Sequence, residues 1–379
     1  MIYLDNAATS LMKPPQVARA VYEALASGRV GNADRGGNDA ALAALSVATR
    51  ARERLGRLFH YEHPARIAFT LNATDALNMA IHGLVRPGDH VVCTVMEHNS
   101  VLRPLYLKET EGAELTVLPF GEGGCVRPER VEEALRPNTR AAIITHASNL
   151  TGAVNDIAAM GRICRERGVL LVVDAAQTAG LWPIDMEEMQ IDVLCFSGHK
   201  GLLGPQGTGG LCVREGVSIA PLRVGGSGLR TFDRAHPAQM PAALEAGTLN
   251  LHGIAGLDAG VAWVMEQGEA RLLDTANALA LAFYREMRGV EGVTVYGDFA
   301  GPRMPIVALN IRDCDSGLIA DLLMRRFGIA TRSGGHCAPL MHEALGTKEQ
   351  GAVRFSFSHA NTRDEAMAAA KAVRLLARG

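Results

Sequence analysis

The sequence has no excess of positive charge, no paired cysteines and no apolar run long enough to cross a bilayer. Each absence removes a class of function. Lysine and arginine together number 38 against 40 aspartates and glutamates, a formal net charge of −2. A nucleic-acid or membrane-surface protein needs a basic face to displace counterions, so neither partner is expected. The amino terminus, MIYLDNAATSLMKPP, lacks the basic and apolar regions of a secretory leader. No later stretch approaches the ~20 apolar residues of a membrane span. These features predict a soluble, cytoplasmic protein. The seven cysteines are odd in number and form no Cys-x-x-Cys pair, which argues against a disulfide framework or a zinc knuckle, and no metal is expected. Cys93, Cys195 and Cys212 lie in apolar, strand-like runs and read as small buried hydrophobes. Cys337 does not, because TRSGGHCAPL places it beside glycines, a histidine and an arginine. No internal repeat and no low-complexity tract occurs.

A chain of 379 residues with 48% hydrophobic content can bury a large core, enough for two or three domains or one large domain with a lobe. Short apolar runs alternate with amphipathic stretches. ARIAFT, HVVCTV, ELTVLP, RAAIITHA, VLLVVDAA, DVLCFSGH and GGLCVR read as strands. DIAAMGRICRERG, with apolar spacing near 3.6 and Gly168 at its end, reads as a connecting helix. This alternation predicts an α/β protein with a parallel sheet covered on both faces. Beyond about residue 250 the pattern changes. A helical region over roughly His252 to Met287 leads into GVTVYG, PIVALNI, GIATRSG and AVRFSFS, with helices around Leu318 and Ala366, as in a smaller α+β lobe. GGSGLRTFDRAHPAQMP is expected to be a mobile loop.

Parallel sheets place ligands at the carboxyl ends of their strands, and several polar residues fall there. Thr74 follows the first strand, His98 the second, and Asn149 the run RAAIITHA. Asp174 and Gln177 follow LLVV, and Ser197, His199 and Lys200 end DVLCFSGHK. Singly, each has an ordinary explanation: Thr74 as a helix cap, Asp174 as a turn residue, His98 as a loop histidine. Together they suit pyridoxal phosphate (PLP). A lysine attaches the cofactor, an acid keeps the pyridine nitrogen protonated, a flat side chain stacks on the ring, and a helix start with hydroxyls takes the phosphate.

YLDNAATS, NATDALN, EHNS, SNLTG, DAAQ, SGHKGLLGPQGTGGL, EAGTLN and RSGGHCA occur in that order over nearly the whole chain. In them the sequence resembles the cysteine desulfurase and selenocysteine lyase family of class V aminotransferase fold. The resemblance implies PLP-dependent transferase fold type I and a homodimer. It implies a large PLP-binding domain over 14–250 and a small domain over 251–379, joined by the N-terminal segment 1–13. It implies that Lys200 bears the cofactor, that Asp174 pairs with the pyridine nitrogen, and that His98 stacks on the ring and shuttles protons. Asn149 and Gln177 would contact the ring hydroxyl side. Ala73, Thr74, Ser197 and His199 would bind phosphate, with Thr248 reaching the same phosphate across the dimer interface.

An amino-acid substrate needs a partner for its carboxylate, and a bidentate arginine fits best. Arg354, in AVRFSFSHANT, and Arg332 match the family's arginines, with Asn149 beside the substrate. RSGGHCA resembles the family's second group, in which a short structured segment carries the cysteine. The implied reaction converts L-cysteine to L-alanine and leaves the sulfur on Cys337 as a persulfide, for delivery to an acceptor protein, for example in iron–sulfur cluster assembly. The alternatives are selenium release from L-selenocysteine, another class V activity such as an aminotransferase or epimerase, and a sulfur carrier without turnover. Gly335, Asn99 and Asn38 stand where many relatives have histidine.

Overall fold

A computed structural model describes residues 1–33, 37–121 and 123–378. Its strands are β1 (Ile2–Tyr3), β2 (Ile67–Thr70), β3 (His90–Thr94), β4 (Glu114–Leu118), β5 (Thr139–Thr145), β6 (Leu170–Asp174), β7 (Val193–Ser197), β8 (Gly209–Val213), β9 (Val293–Tyr296), β10 (Ile306–Ile311), β11 (Ile329–Ala330) and β12 (Val353–Ser356). Every strand expected from an apolar run is present. Seven of them form one sheet in the order β2-β8-β7-β6-β5-β3-β4. Six run parallel to one another. β8 alone is antiparallel, to both β2 and β7.

The sheet is buried on both faces because its residues alternate between two apolar layers. Val92, Leu171, Val173, Leu194 and Phe196 face one layer, while Val91, Cys93, Val172, Val193 and Cys195 face the other. Cys93, Cys195 and Cys212 are fully buried, as small hydrophobes should be. Two glycines of β8 leave room, one for a helix start against the sheet and one for the ring of a neighbouring strand. A Cβ on Gly209 would lie 2.7 Å from Asn72 Cα, and one on Gly210 would lie 2.6 Å from the Phe196 ring. The helix Ala73–Leu84 therefore begins directly over the carboxyl end of β2.

A three-stranded antiparallel sheet, β12-β10-β9, backs onto the helices Glu269–Met287, Ser316–Phe327 and Arg363–Arg378. This sheet has its own core around Phe283, Val307, Leu309, Phe355 and Val373. The N-terminal segment joins this part, since β1 pairs in parallel with β11. The long helical region is two helices, Leu251–Gln267 and Glu269–Met287, divided at Gly268 with φ 83°. Leu251–Gln267 packs on Pro15–Ala26 and Asp39–Leu58, on the large-sheet side. No described helix is long and apolar enough to cross a membrane.

Candidate active site

The carboxyl ends of β2, β3, β5, β6 and β7 open into one cavity of about 240 Å³. Ala73, Thr74, His98, Asn149, Asp174, Gln177, Ser197, His199, Lys200, Arg332 and Arg354 all line it, whereas Thr248 and Cys337 do not. Thr248 is exposed, accepts from Asn32 Nδ2 at 3.3 Å and is not part of this cavity's wall.

Lys200 follows β7 in a turn that the N-terminal segment fixes. Ser10 Oγ donates to the carbonyls of His199 and Lys200 at 3.0 and 2.9 Å, and Lys13 Nζ donates to His199 O at 2.7 Å. Burial pushes the Lys200 ammonium down to about 8; Asp174 opposes the shift and the charges of Arg354 and Arg332 add to it. Asp174 ends β6, 4% exposed, and accepts from Ala176 N at 2.9 Å. Burial raises its carboxyl above the ordinary range, against the Ala176 hydrogen bond and the Lys200 charge.

His98 caps the helix Asn99–Thr110. Its Nδ1 accepts from Ser100 N at 3.1 Å, so the neutral ring carries its proton on Nε2. Burial, together with the charges of Lys200, Arg332, Arg354 and Arg103, brings this imidazole down to about 4. Ser100 Oγ lies 2.8 Å from His98 Nδ1 and 2.7 Å from Thr74 Oγ1, which ties the ring to the helix start opposite. Thr74 is not the cap of its helix. That role belongs to Asn72, whose side chain accepts from Asp75 N at 3.0 Å, leaving Thr74 in the first turn. Ala73 N donates to Ser197 Oγ at 3.0 Å. His199 is held down to about 4 by burial, Lys200 and Lys13, and its Nδ1 lies 3.1 Å from Thr9 Oγ1. Gln177 Nε2 reaches Ala7 O at 3.1 Å.

Asn149 links the cavity to the cysteine segment. Its Nδ2 donates to His336 O at 2.7 Å and its carbonyl accepts from Arg354 Nη1 at 2.9 Å. Cys337 lies in a short turn between β11 and the helix Pro339–Ala344, and its side chain is exposed. His336 and Cys337 both have left-handed backbone, φ 50° and 55°, which costs roughly 1–2 kcal/mol per residue with a side chain. Asn99 N, donating to Cys337 O at 2.7 Å, and the Asn149 amide hold that conformation. Arg332 Nη2 is 3.9 Å from Cys337 Sγ. A Cβ on Gly335 would meet nothing within 4 Å, so a side chain there would occupy open space beside the thiol. Asn38 caps the helix Asp39–Leu58 and accepts from Ala41 N at 3.0 Å.

The donor set fits PLP. Asn149 Oδ1 is buried without a partner among the described residues, a vacancy a ligand hydroxyl would satisfy. Asp174 is a buried acid at the cavity wall, and the first turn of a helix opens beside two hydroxyls, Thr74 and Ser197. The lining also includes residues not anticipated from the sequence: Ala7, Ala8, Asn72, Ser100, Thr145, Ala147 and Ala176. Ser100 carried a signal in its place two residues after His98. Ala7 and Ala8 lie in YLDNAATS, one of the segments that carry the resemblance, but nothing in their chemistry marks them as cavity wall.

Known proteins of the same architecture place this cavity in context. The sequence description of aminotransferase class-V matches residues 2–368. A probable cysteine desulfurase of Methanothermobacter thermautotrophicus is 34% identical over 372 residues, covering 96% of this chain and 92% of its own. The cysteine desulfurase IscS of Ectopseudomonas mendocina is 33% identical over 390 residues, covering 98% and 92%. Among solved structures, the apo cysteine desulfurase of Thermococcus onnurineus superposes with a TM-score of 0.93 at 29% identity, covering 100% of this chain and 95% of that one. The cysteine desulfurase CsdA of Escherichia coli gives 0.87 at 27%, covering 99% and 94%. With the family description spanning nearly all of its length and relatives above 30% identity over nearly all of theirs, the chain belongs to the class-V aminotransferase family.

Proposed function

We propose that this protein is a PLP-dependent cysteine desulfurase. It converts L-cysteine to L-alanine and leaves the sulfur on Cys337 as a persulfide. One observation carries the reading: a single cavity holds a half-buried lysine, a buried acid, a neutral histidine and two arginines, and one of those arginines lies 3.9 Å from the sulfur of an exposed cysteine. Lys200 would bear the cofactor, with Asp174 at the ring nitrogen, His98 on the ring face, and Asn149 and Gln177 on the hydroxyl side. Ala73, Thr74, Ser197 and His199 would take the phosphate. When bound, PLP supplies an electron sink for the pair left as the substrate Cα–H bond breaks.

The chain's own groups do the rest. Arg354 and Arg332 supply positive charge for the substrate carboxylate, with Asn149 beside it. Lys200 Nζ, brought to about 8, is unprotonated in an appreciable fraction near neutral pH and can take the Cα proton. His98, neutral and protonated at Nε2, can donate a hydrogen bond while Ser100 fixes its ring. The Cys337 thiolate attacks the substrate sulfur. An S–S bond forms as the Cβ–S bond breaks, and the carbon fragment keeps the electron pair, gains a proton and leaves as alanine. Alanine release matched one-for-one by persulfide on Cys337, read by mass spectrometry, tests the reading. Alanine release without modification of Cys337 would refute it.

We further read the functional unit as a homodimer, with Thr248 completing the partner's phosphate site. Supporting this, Thr248 faces outward, and the segment before it exposes Leu222, Val224, Leu229 and a fully exposed Phe232. Such apolar surface is what an interface covers. The chain is read as a large domain 14–250 and a small domain 251–379 joined by 1–13, the helix Leu251–Gln267 forming their packed seam. All seven cysteines are free, as a reducing cytoplasm keeps them. An exposed Cys337 suits transfer of sulfur to an acceptor protein.

A further inference from the structure

Arg354 already holds a carboxylate. Its side chain is 0% exposed, and its Nη2 pairs with Asp5 Oδ1 at 2.6 Å. Its Nη1 is used by Asn149 O, while Nε has no partner among the described residues. Asp5, by contrast, has a side chain 20% exposed, so the acid is the member of the pair that solvent reaches. It lies between β1 and the cavity-lining Ala7 and Ala8. Asn6 Nδ2 donates to Ser356 O at 3.0 Å and Ala7 N to Ser356 Oγ at 2.9 Å. Further on, Ser10 is tied to the carbonyls of His199 and Lys200. The main chain is thus moored on both sides of Asp5, by β1 before it and by Ser356 and the Lys200 turn after it, so exchange at Arg354 would involve its side chain alone.

The charges around it are unbalanced. Arg332 and Arg354 are bound backbone to backbone, Arg354 N to Arg332 O at 2.8 Å, and both line the same cavity. Among the described residues Asp5 is the acid that pairs with Arg354, and Arg332 has no ion pair. A second carboxylate arriving at Arg354 meets the Asp5 charge, and like charges sharing one site disfavour each other.

We propose that Asp5 is a specificity-determining residue. Its carboxylate holds the place on Arg354 that the substrate carboxylate takes, so substrate binds by exchange with Asp5. The inference rests on the reading that the substrate is an amino acid. Exchange yields less binding free energy than pairing with a bare buried cation, so Asp5 sets the affinity for carboxylate ligands. An Asp5→Asn protein leaves Arg354 buried and unpaired, which lowers its stability when empty. A bound carboxylate then restores what was lost.

The test uses cofactor-loaded wild type, Asp5→Asn and Asp5→Glu, with thermal unfolding titrated by L-alanine and by ethylamine, which has no carboxylate. Asp5→Asn is expected to melt below wild type without ligand. It should show a larger L-alanine shift and half-saturate at a concentration lower by about tenfold or more, the scale of one charge-assisted contact. Asp5→Glu keeps the charge and is expected to half-saturate no lower than wild type. Ethylamine should not distinguish the proteins. Half-saturation of Asp5→Asn equal to or above wild type overturns the proposal, since Asp5 then only orients Arg354 or does nothing. If Asp5→Asn fails to fold, carbon-13 NMR of the Asp5 side-chain carboxyl on wild type decides. L-alanine should shift that signal away from its Arg354-paired position while ethylamine leaves it in place, and a signal unmoved by saturating L-alanine overturns the idea. Wild type that neither responds to L-alanine nor releases it from cysteine defeats the amino-acid reading itself. A normal wild-type response with weaker binding by Asp5→Asn defeats the Asp5 inference alone.

Discussion

Glu97 is fully buried directly behind the cavity, and its charge state makes a quantitative prediction. Its Oε1 accepts from Thr94 Oγ1 at 2.7 Å and from Thr145 N at 3.0 Å, while Oε2 has no partner among the described residues. Burial pushes the carboxyl from 4.5 up to about 8. The Thr145 and Thr94 hydrogen bonds pull the other way, and the nearby Asp174 charge adds to the rise. Because the folded-state value lies above the unfolded one, folding favours the protonated acid. The stability present below pH 4.5 is lost progressively as pH rises and is fully lost above about 8. At ~1.4 kcal/mol per unit, the difference amounts to about 5 kcal/mol. Glutamine reproduces the protonated form, with an oxygen for the same two donors. Unfolding entropy of ~2.1 cal/mol/K per residue gives roughly 0.8 kcal/mol/K for the whole chain, so Glu97→Gln should raise Tm by roughly 6 °C at pH 9. The gain should shrink to little at pH 5. Thermal unfolding by circular dichroism at pH 5, 7 and 9, with saturating cofactor, measures it. A gap that does not change with pH, or a glutamine protein less stable at pH 9, would refute the reasoning.

Three further outcomes follow from the site. Borohydride reduction followed by peptide mapping should place the cofactor on Lys200, and Lys200→Ala should release no alanine from cysteine; label on another lysine contradicts the assignment. Thr248→Ala should weaken cofactor retention by roughly ten- to a hundredfold, the ~1.5–3 kcal/mol of one hydrogen bond to a charged group, and a catalytically competent monomer by light scattering would rule out the shared site. Cys337→Ala should abolish alanine release from cysteine, because sulfide leaves poorly without thiolate attack, while keeping substantial activity on selenocysteine, whose selenium departs more readily. Retained cysteine activity, normalised to bound cofactor, would remove Cys337 from the mechanism.

The large sheet was legible because its strands are buried on both faces, and doubly buried strands read as continuous apolar runs such as LLVV before Asp174. The polar residue ending each run was legible for the same reason, since the run stops where the cavity begins. Strand direction was not. GGLCVR carries no mark of its antiparallel course in β8, which is set by the short connection from β7. The helix break was readable only as a glycine among helix formers, because Gly268 earns its place through a φ of 83° that appears with the fold. Asp5, though inside YLDNAATS, was given no role because its partner Arg354 is 349 residues away, and local pattern holds no information on such pairs.

On the proposed mechanism, the charges explain why the proton chemistry would fall to the lysine. Three imidazoles gather here: His98 and His199 at about 4 and His336 at about 3. Burial is the largest cause for each. Lys200 lowers the first two further, and the arginines lower His98 and His336. A histidine so placed is neutral throughout the physiological range and too weak a base to take a carbon-bound proton efficiently. The same low-dielectric, cation-rich surroundings act on Lys200 in the useful direction, bringing a group ordinarily protonated at neutral pH to about 8. Arg332 and Arg354 therefore have two effects at once. They would attract a carboxylate ligand, and they favour the uncharged form of the neighbouring nitrogen bases. A substitution that removed either guanidinium would weaken both effects together, so loss of ligand affinity and a rise in the Lys200 value should accompany each other.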